Sequence, residues 1–76
     1  MLLVGEKLVN TLKLERERLG LTQASLAEAV GVSRKTINTV ENGVFVPSTI
    51  LALKLADALA RTVEELFQVE QSASSH

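Results

Sequence analysis

The sequence predicts an all-α domain of five short helices, on three observations. Apolar residues recur at helical spacing from Leu12 to Leu66; Thr or Ser stands before each helical stretch, with Gly after the first three; and strand-like alternation is confined to the chain ends. A chain of 76 residues, 46% of them hydrophobic, suffices for one small domain whose core needs no metal or disulfide. Residues 1–71 are read as that domain and 72–76 as a tail. The lack of cysteine points to a reducing cytoplasm, and the apolar start, Met1 to Val4, is too short for a signal-peptide core or a membrane span.

The first eleven residues, MLLVGEKLVNT, support two readings. In the preferred one LVN is a short strand partnered by the C-terminal FQVEQ, because β-branched and polar residues cluster at Val9, Asn10 and Thr11. Asn10 or Thr11 then caps a first helix, and Gly5-Glu6 could turn Met1 to Val4 back as a hairpin. In the other, one longer helix begins near Glu6. The first helix, Leu12 to Leu19, carries Leu12, Arg16 and Leu19 on one side and stops at Gly20.

The chain is organised around QASLAEAVGVSRKTINTV, Gln23 to Val40. Leu26 and Val30, then Val32, Ile37 and Val40 after a break at Gly31, give two short helices one shared core-facing edge. Ala27 marks the crossing point, where a larger side chain would push the axes apart. At Gly31 a left-handed backbone is easy for glycine alone. Thr22 caps the first of these helices and Ser33 the second. Together they specify two helices at a steep angle, a helix-turn-helix. An ordinary helical hairpin would share the small-residue spacing; the outward face of the second helix argues against it. Arg34, Lys35, Asn38 and Thr39 lie away from Ile37 and Val40, and such side chains donate to phosphates and base edges.

Asn42-Gly43 stops the second motif helix. Phe45 and Val46 are expected to fold back onto the core. Pro47 and Ser48 open a fourth helix, Thr49 to about Leu59, which is apolar nearly all round and so expected to be central. Thr62-Val63-Glu64-Glu65 is a capping box that starts a short last helix through Leu66, and Phe67 to Gln71 alternates as a strand does. The lone His76 is read as incidental, since a metal site needs several ligands. No metal, cofactor or small-molecule ligand is expected.

From Leu19 to Gly43, LGLTQASLAEAVGVSRKTINTVENG resembles the Cro and phage-repressor (XRE) type of helix-turn-helix regulator, and PSTILALKLADALARTVEELF continues the likeness. The resemblance covers roughly Val9 to Phe67 and implies a compact five-helix, lambda-repressor-like DNA-binding domain with the motif in helices 2 and 3. It implies that Arg16 pairs with Glu41 at the end of the recognition helix and could also reach a phosphate. Arg34, Lys35 and Thr39, assisted by Asn38, would read base edges, while Gln23, Ser33, Thr36, Asn42 and Arg16 would hold the DNA backbone. The chain departs from the family pattern at three places. Glu15 stands where an apolar residue is common, Val44 where a basic one is, and Ala60 where a helix-ending glycine is usual. At Ala60 the helix either ends without a left-handed residue or accepts about 1 kcal/mol of strain.

A net charge of −1 counts against a nucleic-acid partner, yet its distribution softens the objection. Residues 1–44 carry six Lys or Arg against five Glu, and residues 45–76 carry two against four Asp or Glu. The basic surplus is thin, so paired half-sites are expected, and with them a homodimer. Apolar residues with no evident place in so small a core are Leu66, Phe67 and Val69 with Leu2, Leu3 and Val9; the expected interface is there, unless Phe67 plugs the base of Leu55 and Leu59. The leading function is a sequence-specific transcriptional repressor on a double-stranded, pseudo-palindromic operator. The alternatives are an antitoxin that also binds a toxin, and an interaction module that has lost DNA binding. An enzyme is not expected: there is no Cys, no phosphate loop and one terminal His.

Overall fold

In a computed structural model, residues 6–71 are described. The order is β1 (Glu6–Asn10), α1 (Leu12–Arg18), α2 (Gln23–Val30), α3 (Arg34–Glu41), α4 (Thr49–Leu59), α5 (Val63–Leu66) and β2 (Phe67–Gln71). The five helices and the terminal sheet agree with the fold read from the sequence. The strands pair antiparallel, with Leu8 opposite Val69, Val9 opposite Gln68 and Asn10 opposite Phe67. Glu6 therefore begins a strand, not a long first helix. The proposed Met1–Val4 hairpin and the 72–76 tail lie outside the described residues.

Local chemistry explains each boundary. At the start of α1 Thr11 occupies the cap position without a side-chain cap bond, and Oδ1 of Asn10 accepts from the Leu12 N–H at 3.0 Å. Reciprocal bonds between Thr22 and Ser25 box the start of α2, and those between Thr62 and Glu65 the start of α5. Ser33 and Ser48 cap α3 and α4 by accepting from the amides of Thr36 and Leu51. Gly31 ends α2 at φ 78°, whereas α4 ends on Ala60 at φ 56°, ψ 42°. Of the two endings open at that position, the strained left-handed one is present.

The core gathers one edge of each helix: Leu12, Leu26, Val30, Ile37, Val40, Leu51, Leu55, Leu59 and Leu66 are buried, together with Ala27 and Ala56. Four expectations change. Leu19 is exposed, because α1 ends at Arg18 and the turn at Gly20 carries it off the core-facing stripe while Leu21 packs instead. The second is α4, which is buried on one side only: nothing described covers Ile50 and Leu53, which are 67% and 57% exposed.

The third concerns the segment after α3. Val44 and Phe45 donate their amides to the Thr39 carbonyl, at 2.9 and 3.2 Å, so backbone bonds hold the loop against the helix end. Phe45 and Val46 do not fold into the core and stay 47% and 67% exposed. The fourth concerns the expected interface. Leu66 and Phe67 are 1% and 8% exposed, so they belong to this domain's own core and cannot supply an open apolar patch. Val69 is exposed, but the pleat places it on the face shared with Leu8, while Val9 lies with Gln68 on the other. The sheet thus splits the apolar residues it was expected to gather.

Candidate nucleic-acid interface

The site is built from α2 outward. Gly31 turns the chain, the Val32 amide donates back to the Ala27 carbonyl at 3.0 Å, and Ala27, 3% exposed, lets α3 cross closely. Ile37 and Val40 then anchor α3 in the core. Helical periodicity turns Arg34, Lys35, Asn38 and Asn42 to the opposite, exposed side. Neither Arg34 nor Lys35 enters an ion pair among the described residues, so both cations are open to an anionic partner.

Other expected site residues are less free. Thr39 is half-buried, and its hydroxyl donates to the Thr36 carbonyl at 2.9 Å, leaving it only lone pairs to offer outward. The hydroxyls of Ser33 and Thr36 share a hydrogen bond of 3.0 Å at the N-terminus of α3. Asn42 donates from its amide to Oδ1 of Asn38, 3.2 Å away, which orders the last turn of the outward ridge.

Behind α3 lies a buried polar cluster. Nε of Arg16 donates to Oε2 of Glu41 at 2.6 Å, Nη2 donates to Oε1 at 3.3 Å, and Nη1 donates to the Leu21 carbonyl at 2.8 Å. The hydrogen bonds and charge of Glu41 raise the arginine's pKa against the opposing effect of burial. Gln23 adds a bond from Nε2 to Oε1 of Glu41 at 3.0 Å. The expected pair of Arg16 and Glu41 is thus present in the fold. The guanidinium, however, is largely enclosed: Arg16 is 7% exposed and spends three of its five N–H donors on these partners. Gln23 likewise spends one of its two amide donors on Glu41.

Two features escaped sequence reasoning. Glu15, out of pattern as a polar residue on an edge expected to be apolar, accepts from Nε of Arg18 at 2.5 Å and Nε of Arg61 at 3.0 Å, so an ionic clamp replaces apolar packing. Arg18 also donates to the Leu59 carbonyl at 3.3 Å, near the end of α4. The second is Asn10. Beyond its bond to Leu12, it donates from Nδ2 to the Val40 carbonyl at 3.0 Å, tying β1 to the end of α3. Its cap role was legible locally, but the bond to Val40, thirty positions along the chain, was not.

A family model for the helix-turn-helix matches residues 12–66, a span that contains α1 through α5. The chain belongs to this helix-turn-helix family. It is similar to an uncharacterized HTH-type transcriptional regulator of Bacillus subtilis, YgzD, at 42% identity over 82% of this chain and 94% of that one. Another such regulator, of Methanothermobacter thermautotrophicus, is 47% identical over 78% of this chain and 87% of its own length. Among solved structures, the restriction-modification controller protein C.AhdI of Aeromonas hydrophila superposes with a TM-score of 0.67 at 37% identity, covering 71% of this chain and 82% of that one. The helix-turn-helix chain is thus a DNA-binding transcriptional regulator by family. No helix among the described residues is long and apolar enough to cross a membrane.

Proposed function

We propose that the protein is a sequence-specific repressor that binds a pseudo-palindromic operator as a homodimer, with α3 in the major groove. The observation that carries this reading is the open ridge of Arg34, Lys35 and Asn38 on a helix whose opposite face is locked into the core. Arg34 and Lys35 read base edges from the first turn, with Asn38 and the acceptor side of Thr39 behind them. Ser33, Thr36 and Asn42 face the DNA backbone at the two ends of α3. Gln23 contributes through its remaining donor, and Arg16 through its hold on Glu41. Such a regulator works where the DNA is, so a cytoplasmic location belongs to this reading.

The homodimer follows from the charge. A chain of net charge −1 neutralises few phosphates, and a second recognition helix about 34 Å away doubles the specific contacts. Val44, Phe45, Val46, Ile50 and Leu53 are exposed apolar residues between the end of α3 and the middle of α4, and this segment is assigned here to the second copy, in place of Leu66 and Phe67.

Selection of bound duplexes from a random pool, followed by affinity measurement at two salt concentrations, tests this function. The expected result is a two-fold symmetric motif whose binding weakens as salt rises. Recovery of no common sequence, or affinity indifferent to salt, would refute it.

A further inference from the structure

Resting on the reading of α3 as the DNA-reading helix, we propose that Asn10 is a positioning residue that couples the terminal sheet to the placement of that helix. Its primary amide has one possible orientation, because the Leu12 N–H can only donate and the Val40 carbonyl can only accept. One planar group therefore joins the end of β1, the start of α1 and the last turn of α3. Asn10 is itself held by the sheet, opposite Phe67, whose ring is in the core. On its other side α3 is held through Glu41 by Arg16 and Gln23. The two tethers act on adjacent residues, Val40 and Glu41, and together they set how the outward ridge is tilted.

The Val40 carbonyl also accepts from the Gly43 amide at 3.0 Å. Loss of the Asn10 donor consequently leaves no unpaired carbonyl: the helix end is untethered, not unsatisfied. Placement can therefore be separated from folding.

Asn10→Ser retains an oxygen able to accept from the Leu12 amide but cannot reach Val40. Asn10→Asp keeps the stronger cap, loses the donor, and sets a carboxylate against the carbonyl. Each variant, the wild type and Arg34→Ala are measured for affinity to a duplex selected from a random pool and to a random duplex at the same salt. The expected result is a fall of about five-fold or more in the ratio of the two affinities for whichever Asn10 variant is folded. Amide exchange at Asn42, Gly43 and Val44 should quicken while that of α2 stays unchanged. The added charge of the Asp variant acts on both duplexes and cancels in the ratio. An equal loss on both duplexes, or an unchanged ratio in a folded variant, would mark Asn10 as structural only and overturn the proposal. Should Arg34→Ala and Lys35→Ala, measured in the same way, both keep the full ratio, or the wild type show no preference, the reader-helix assignment fails first and takes this proposal with it.

Discussion

Nε of Arg16 lies 2.6 Å from Oε2 of Glu41, and the two side chains are only 9% and 3% exposed. A pair so enclosed gains little net stability over an apolar pair of the same size, since both ions were desolvated to form it. Removing one partner is another matter, because it strands a buried charge. Glu41→Ala should destabilise the fold by about 3 kcal/mol, while Arg16→Met combined with Glu41→Leu should come close to wild type. Denaturant unfolding of the two variants beside wild type checks this; a loss under about 1 kcal/mol for Glu41→Ala would mean that water reaches the guanidinium.

Arg34→Ala and Lys35→Ala should each reduce discrimination between selected and random duplexes, a good base contact being worth about 1 to 3 kcal/mol. Both residues are exposed, so thermal midpoints should not move. Unchanged discrimination by both, with normal midpoints, would show that α3 is not the reader.

Ala60 holds a left-handed backbone at φ 56°. That conformation costs an L-residue about 1 to 2 kcal/mol, part of which glycine recovers before its own unfolded-state entropy is counted. Ala60→Gly should therefore stabilise the domain by about 0.5 to 1 kcal/mol. A destabilised variant would show that the Ala60 methyl makes a packing contribution larger than the strain.

The hydrogen bonds from Arg18, then Arg61, hold the Glu15 carboxyl below its ordinary pKa of 4.5. Since the folded value is the lower one, the contribution is complete above the ordinary value and is lost as pH falls through the folded value. Stability should thus decline below about pH 4.5, less steeply in Glu15→Gln than in wild type. Thermal midpoints across that acid range decide it; parallel curves would leave the clamp without a role.

Phe45→Glu combined with Leu53→Glu places two charges on the segment assigned to the second copy without touching a buried side chain. Sedimentation at micromolar concentration should give a dimeric mass for wild type and a monomeric one for the variant, with operator affinity lost in parallel. A monomeric wild type that still binds the selected duplex would refute the dimer.

What the sequence determined by itself is whatever is decided within about four residues along the chain. The caps at Thr22, Ser33, Ser48 and Thr62, the left-handed turn at Gly31, and the periodic burial of Ile37 and Val40 are of that kind, and with them came α3 and its outward cations. Tertiary structure alone decided the side chains whose partners are distant. Asn10 finds Val40 thirty positions on, Glu15 finds Arg61 forty-six positions on, and Gln23 turns to Glu41 across the motif. The same holds for apolar residues outside a regular face. Phe45 stays open and Phe67 is enclosed although both are Phe, because burial depends on which segment packs over a position, and a strand or loop of a few residues carries no record of that.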